Sequence, residues 1–473
     1  MGRRFQFLMD GGNADGKEWK GALSYKGLPS RRRVGAVIGI VKLLRVKSFE
    51  EFDATLSYIS ELISLNFGYA DTDGNIGYVL TGRTPLRKGK QGSELFPLKG
   101  WTGNDSWDEF LPHKDLPKAL NPENGYIISA NHKTVDYKEY KHYLGSVFKA
   151  GYRAMAIERS LKKSIEKEKI TVKAMQRLQL STFSVAAEEF VKIVRSLSSE
   201  SLTICGEPEA DAKKNSVLLG EGFETLAGFD GDLTAESEAA SLYVLTHVHL
   251  VKFLLEEGCK KMAADAKGNE DFETVAQMLV DIIGGASFDL ACVLKLINEF
   301  QGVLHINVLR MLRSPKKSYW IAAGGGLNAV LGTAIFRGLR QLKGYSNRQW
   351  GHLHPTTFPN KFTTALKMSP GTGFDLPSLP TGGDTNTPCQ RKIKSLDDLS
   401  ASSSNISLRF VADMSDLRHG CSIITPVGQC AVLGSPFYGQ DVEKWYKGEM
   451  RKVNWVEEDV RAAAKFSMLF NGK

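Results

Sequence analysis

Gly125-Tyr126-Ile127-Ile128-Ser129-Ala130-Asn131-His132-Lys133, followed by Gly151-Tyr152-Arg153-Ala154, is the stretch on which the reading of this chain turns. Tyr126 to Ala130 is a short apolar run that predicts a buried strand, delivering Asn131 to a sheet edge. Arg153 opens a helix-like run ending at Glu158. A carboxamide at a strand end can donate to an oxygen that becomes negative without carrying charge itself. Losing one such donor in an acyl-transfer site costs ~2.7–4 kcal/mol. A guanidinium offers a planar fork that can hold a carboxamide oxygen or a carboxylate. On spacing alone, Asn131 reads first as a turn cap and Arg153 as half of an ion pair with Glu158 or a neighbour.

Outward from this stretch the periodicities change. Towards the N-terminus, Phe67 and Tyr69, then Ile76, Tyr78 and Leu80, alternate around Asp71-Thr72-Asp73-Gly74-Asn75. Alternation broken by Asp-Gly predicts a β-hairpin. Before it, Val34 to Leu44 and Phe52 to Ile63 carry helical spacing, and residues 22–28 alternate as a strand. Residues 10–20 read as a polar, glycine-rich loop. Five prolines between 85 and 122 make residues 83–124 loop-rich.

Towards the C-terminus, helical spacing dominates from about 152 to 310, with Val172 to Leu197 as one example and a charged interruption at 199–216. Ala322 to Leu339 reads as a buried helix. Residues 344–405, with Gly371-Thr372-Gly373 and Ser402-Ser403-Ser404, read as an irregular, flexible insertion. Strands are expected at 406–414 and 421–433, and a last helix at about 455–469. The expected division is a poorly ordered start (1–20), a first part of the core (21–155), a mainly helical region (156–345), and a loop-rich segment with the remaining core strands and a C-terminal helix (346–473).

The 473 residues are 42% hydrophobic and 24% charged, which suits a globular protein with a sizeable core. A net charge of +8 is spread along the chain without aromatic platforms, so nucleic acid is not an expected partner. No apolar run spans a bilayer, so no membrane partner is expected, and the start lacks the pattern of a secretory signal. The six cysteines form no CxxC pair, which argues against zinc. Cys421 and Cys430 could form a disulfide, though buried thiols are the simpler expectation.

Other candidates carry little. His113, His132, His142, His247, His249, His352 and His354 read as structural. Asp136, Glu139 and His142 supply too few oxygens for calcium. Gly324-Gly325-Gly326 lacks the strand–GxxxxGKS–helix setting of a phosphate loop, and no GxSxG elbow is present.

Taken in order, several stretches resemble the penicillin acylase (penicillin amidase) family of N-terminal-nucleophile hydrolases. Asn66 to Tyr78 looks like its hairpin, Gly125 to Lys133 its oxyanion-hole strand, and Gly151 to Ala154 its arginine segment. Trp350 to Pro355, Gly382 to Thr387, Ser407 to Met414, Pro426 to Gln429 and Ser435 to Asp441 ahead of Trp445 continue the match. The similarity covers roughly residues 22 to 470.

The resemblance implies an α+β chain with the four-layer αββα fold, incomplete here and carrying a helical insertion. It implies hydrolysis of carbon–nitrogen bonds in linear amides through an acyl-enzyme. An N-terminal Ser attacks, Asn131 lies in the oxyanion hole, and Arg153 orients that asparagine. The expected partners are a small-molecule amide, an α-chain and an N-terminal β segment that carries the Ser, which this sequence lacks. Family members are typically exported. Calcium is usual in the family, but the position of a calcium carboxylate aligns with His142, so no cofactor is expected. The alternative is a catalytically inactive, acylase-like remnant that binds acyl compounds or a partner. Departures from the family pattern include Gly428-Gln429-Cys430-Ala431 and Ser435-Pro436-Phe437-Tyr438. An uncovered apolar sheet face is a further expectation.

Overall fold

The computed structural model describes residues 5–8, 22–25, 34–89, 98, 100–104, 106–167, 170–208, 211–265, 301–366, 373–401 and 406–470. The loop expected at 10–20, Gly371-Thr372, Ser402-Ser403-Ser404 and Cys292 lie outside them. The chain divides into two compact units, one up to Gly151 and one from Tyr152 on.

In the first unit, β1 (Phe5–Leu8) pairs antiparallel with β2 (Ala22–Tyr25), so the start contributes a strand that periodicity did not reveal. Helices α1 (Val34–Leu43) and α2 (Phe49–Ser60) follow where helical spacing places them. Ser48 caps α2, its hydroxyl accepting from the Glu51 N–H. The hairpin is β3 (Asn66–Ala70) and β4 (Ile76–Leu80), with β5 (Lys118–Leu120) on the far edge of β4.

The hairpin turn is built around Asp71. One carboxylate oxygen accepts the Asp73 and Asn75 N–H groups, and the other accepts the Asn75 amide and the Tyr69 hydroxyl. Desolvation and that bond to Asp71 push the Tyr69 phenol up to about 12. Phe52, Leu56 and Ile59 of α2 pack on Val79, with Phe49, Phe67 and Tyr69 around them. Gly77 makes this docking possible, because a Cβ there would lie 2.4 Å from the Phe49 ring.

The strand expected at Tyr126–Ala130 is not one. These residues join no ladder among the described residues and lead into a bend at Asn131. An apolar run of five residues fits any half-buried extended segment, so composition alone could not supply a pairing partner.

The second unit is mainly helical up to Lys343: α3 (Tyr152–Lys167), α4 (Val172–Gln179), α5 (Val185–Arg195), α6 (Ala212–Gly228), α7 (Glu238–Asp265), α8 (Gln301–Arg313), α9 (Tyr319–Ala323) and α10 (Leu327–Lys343). Residues 172–197 break into two helices. Ser184 caps α5 by accepting from Ala187, and its own N–H donates to Gly231. Glycines 325 and 326, both at positive φ, end α9 and start α10, so the helix expected from Ala322 begins at Leu327. None of the described helices is long and apolar enough to cross a membrane.

The expectation of a flexible insertion at 344–405 is corrected. Short helices α11 (Trp350–Leu353) and α12 (Lys361–Ala365) flank β6 (Pro355–Phe358), which pairs with β7 (Leu376–Pro380). Every residue from Thr381 to Cys389 is buried. Glycine- and threonine-rich composition imitates a linker here, but the backbone polar groups are held inside: Gly383 N–H by Leu233, Cys389 N–H by Ser181 and Asp384 N–H by the Thr387 hydroxyl.

The last sheet is β8 (Arg409–Val411), β9 (Ser422–Ile424) and β10 (Arg451–Lys452), in the order β10-β9-β8. Its strands are shorter than the sequence suggests. Helices α13 (Leu417–Gly420), α14 (Val442–Lys447) and α15 (Glu457–Ala463) complete the unit. Phe410 faces Ile423 across β8–β9, and both remain exposed, at 47% and 36%. This matches the apolar sheet face anticipated from the sequence. Cys205, Cys389, Cys421 and Cys430 are free thiols, so the Cys421–Cys430 disulfide is not formed.

Candidate active site

Asn131 sits at φ 60°, in the left-handed region. Apart from glycines, only Asn121 shares that conformation among the described residues. Asparagine tolerates it better than other side chains with a Cβ. Buried Ala130 precedes it, while Asn131 itself is exposed. The Asn131 carbonyl accepts the Lys149 N–H at 2.9 Å. Three residues on, the Thr134 side chain lies near the phenol of Tyr78 on β4, which donates to Asn66 Oδ1 at 2.6 Å. Burial pushes the Tyr78 phenol up, so the group stays a neutral hydrogen-bonding link.

The comparison with Asn121 is informative. Asn121 also has positive φ, but its carboxamide accepts the Ile76 N–H at 2.9 Å and donates to Asn75 at 2.8 Å. It closes the end of the hairpin. Asn131 stands on a turn tied down through backbone and neighbours, which places its carboxamide at the surface of the first unit.

Arg153 lies in the first turn of α3 and opens the second unit, one residue after buried Tyr152. It is half-buried, and desolvation pulls its guanidinium down from the ordinary arginine value. Its charge is retained nonetheless, because arginine starts so high. Sequence reading singled out Asn131 and Arg153 but not Thr134 and Tyr78, which are 56 positions apart and leave no local pattern.

Parts of the stretches after residue 350 that carry the resemblance, around Trp350, His354, Gly382 to Thr387 and Arg409, form a buried polar core with Trp445. The Trp350 ring stacks on His354 at 4.4 Å, and its Nε1–H donates to Gly383 at 2.9 Å. His354 Nδ1 bonds to the Leu399 carbonyl, and burial pulls the imidazole down to about 4. Asp384, inside the same core, is pushed up to about 6 by desolvation, partly offset by N–H groups of Asn386 and Thr387. Arg409 donates to the Trp445 carbonyl at 2.5 Å and lies over that ring, as Arg391 does. These residues hold the second unit together.

In the acid-rich segment, Asp136 Oδ1 accepts the Lys138 N–H, and among the described residues no three His, Cys, Asp or Glu side chains come together as a metal site.

Comparison with known proteins now bears on this geometry. The penicillin amidase family model matches residues 11–462. Acyl-homoserine lactone acylase QuiP of Pseudomonas syringae pv. syringae is 28% identical over 396 residues, covering 83% of this chain and 44% of that protein. Penicillin acylase 2 proenzyme of Pseudomonas sp. (strain SE83) is 29% identical over 192 residues, 41% of this chain and 22% of that protein. The chain thus spans less than half the length of the curated relatives it matches. Among solved structures, the thermostable penicillin G acylase from Alcaligenes faecalis superposes with a TM-score of 0.55 at 15% identity, over 100% of this chain and 81% of that chain. That likeness gives the fold as the α+β, αββα type of N-terminal-nucleophile hydrolases. With the family model spanning nearly its full length, this chain belongs to the penicillin amidase family.

Proposed function

We propose that this chain carries the oxyanion-stabilising part of an amidohydrolase that cleaves linear amides through an N-terminal serine. The observation that carries the reading is the left-handed backbone of Asn131, on a turn closed by the Lys149 N–H. Such conformations cost energy and concentrate at functional sites. Family membership and the relatives' acylase names support the reaction class.

In this reading the serine hydroxyl attacks the amide carbonyl while its own α-amine takes the proton. The carbonyl oxygen becomes anionic and accepts from Asn131 Nδ2–H and from a backbone N–H. Collapse expels the amine, protonated by the same α-ammonium, and leaves an acyl-serine. Water, deprotonated by the amine, then releases the carboxylic acid. Arg153, whose guanidinium fork suits a carboxamide oxygen, is taken as a positioning residue on the family likeness. The substrate class is an acyl amide, in line with the relatives' names.

Asn131→Gly is the sharpest test, because glycine accepts the left-handed backbone and removes only the carboxamide. With the chain co-expressed alongside a serine-bearing segment of a penicillin acylase relative, kcat should fall about 10²–10³-fold with the melting curve unchanged. Unchanged turnover would sink the assignment.

A further inference from the structure

Helices α7, α8 and α9 of the second unit enclose a cleft of about 550 Å³. Small-molecule sites typically measure about 300–1,000 Å³, are mostly apolar, and contain a few placed polar groups. Val251 and Leu254 of α7 and Val308 and Met311 of α8 form the apolar lining, and Trp320 forms one wall. The Trp320 indole lies directly on the α7 backbone, since a Cβ on Gly258 would come within 2.0 Å of its ring. That wall is therefore held in place by a helix that omits a side chain to admit it.

The polar groups of the lining are one-sided. Arg310 and Lys317 belong to it, and no acidic residue does. Arg313, the next arginine on α8, is ion-paired with Glu189, and the nearby acids Glu256 and Glu257 both engage Lys260. Neither Arg310 nor Lys317 has an ion-pair partner among the described residues.

We propose that this cleft binds an amphipathic carboxylate, its alkyl or aryl tail against Val251, Leu254, Val308, Met311 and Trp320 and its head group between Arg310 and Lys317. The tail gains by leaving water, and the head meets two cations that have no competing acid. Carboxylic acids of this kind are what the proposed reaction releases, so the choice of ligand rests on that reading. The cleft itself does not.

Decanoate is the probe, titrated into the full chain by calorimetry and followed in parallel by tryptophan fluorescence. One saturating site is expected, with a fluorescence change that Trp320→Phe abolishes. The double variant Arg310→Gln, Lys317→Gln, altering two exposed side chains, should weaken decanoate at least tenfold. Decyltrimethylammonium should bind the parent more weakly than decanoate and gain nothing from the double variant's loss. Met311→Trp, which fills the cleft, should eliminate binding while the melting curve persists. Absence of saturation by decanoate, or equal affinity in the parent and the double variant, overturns the proposal. Because binding is read without turnover, its failure leaves the Asn131 assignment untouched, and a fully active Asn131→Gly leaves the cleft untouched.

Discussion

The Lys149 N–H donates to the Asn131 carbonyl at 2.9 Å, so the segment from 131 to 149 closes on itself with the candidate oxyanion residue at its mouth. A backbone bond cannot be removed by side-chain substitution, which leaves the Tyr78 phenol, near Thr134 and bonded to Asn66, as the adjustable neighbour of this turn.

Tyr78→Phe removes the hydroxyl that donates to Asn66 Oδ1. Loss of that hydrogen bond should lower stability by about 0.5–1.5 kcal/mol. If the turn shifts with it, kcat in the co-expressed enzyme should fall by up to about 100-fold with KM little changed. Steady-state kinetics beside urea unfolding separate these effects.

Gly77→Ala places a methyl group where the Phe49 ring lies, at 2.4 Å. Overpacking of this kind costs about 1–3 kcal/mol. A second change, Phe49→Leu, should recover part of the loss, and a double-mutant cycle by urea unfolding measures the coupling.

Asp384 and His354 set opposing pH dependences. Asp384 is raised from 3.8 to about 6, so the folded state binds the extra proton and stability falls as pH rises across that window. His354 is lowered from 6.5 to about 4, so the unfolded state binds the extra proton and stability rises with pH between those values. Between about pH 4 and 6 the two slopes offset each other. Asp384→Asn deletes the falling component, so its melting temperature should climb more steeply from pH 4 to 6.5 than that of the parent. Parallel profiles would contradict the burial argument.

Gly428→Ala should be severe. A Cβ there would lie 1.7 Å from the Phe437 carbonyl oxygen, a backbone atom with little freedom to move. The Gly428 N–H bond to Tyr438 at 3.1 Å would open, and protease cleavage between 426 and 438 should accelerate.

Helices α1 and α2, the Asn66–Leu80 hairpin and the helical middle were legible because each carries its own periodicity over ten or more residues. Tyr126–Ala130 was misread as a strand because five apolar residues satisfy several extended conformations, and only a partner decides. Thr381–Cys389 was misread as mobile because glycine and threonine serve linkers and tight buried turns alike. Of the candidate site, Asn131 and Arg153 stood out through family likeness, while the approach of Thr134 to Tyr78 spans two distant segments and has no signature in either. Trp350, Arg409 and Trp445 belong to stretches that carried the likeness, and the contacts of their rings and guanidinium explain those stretches as architecture.

A protein engineer scanning this sequence for a permissive insertion point would choose the Thr381-Gly382-Gly383 segment, which has the composition of a spacer. With all nine residues from Thr381 to Cys389 enclosed, an epitope placed there would wedge the second unit apart. The exposed end of α15, around Ala463 and Ala464, is the safer address for a label.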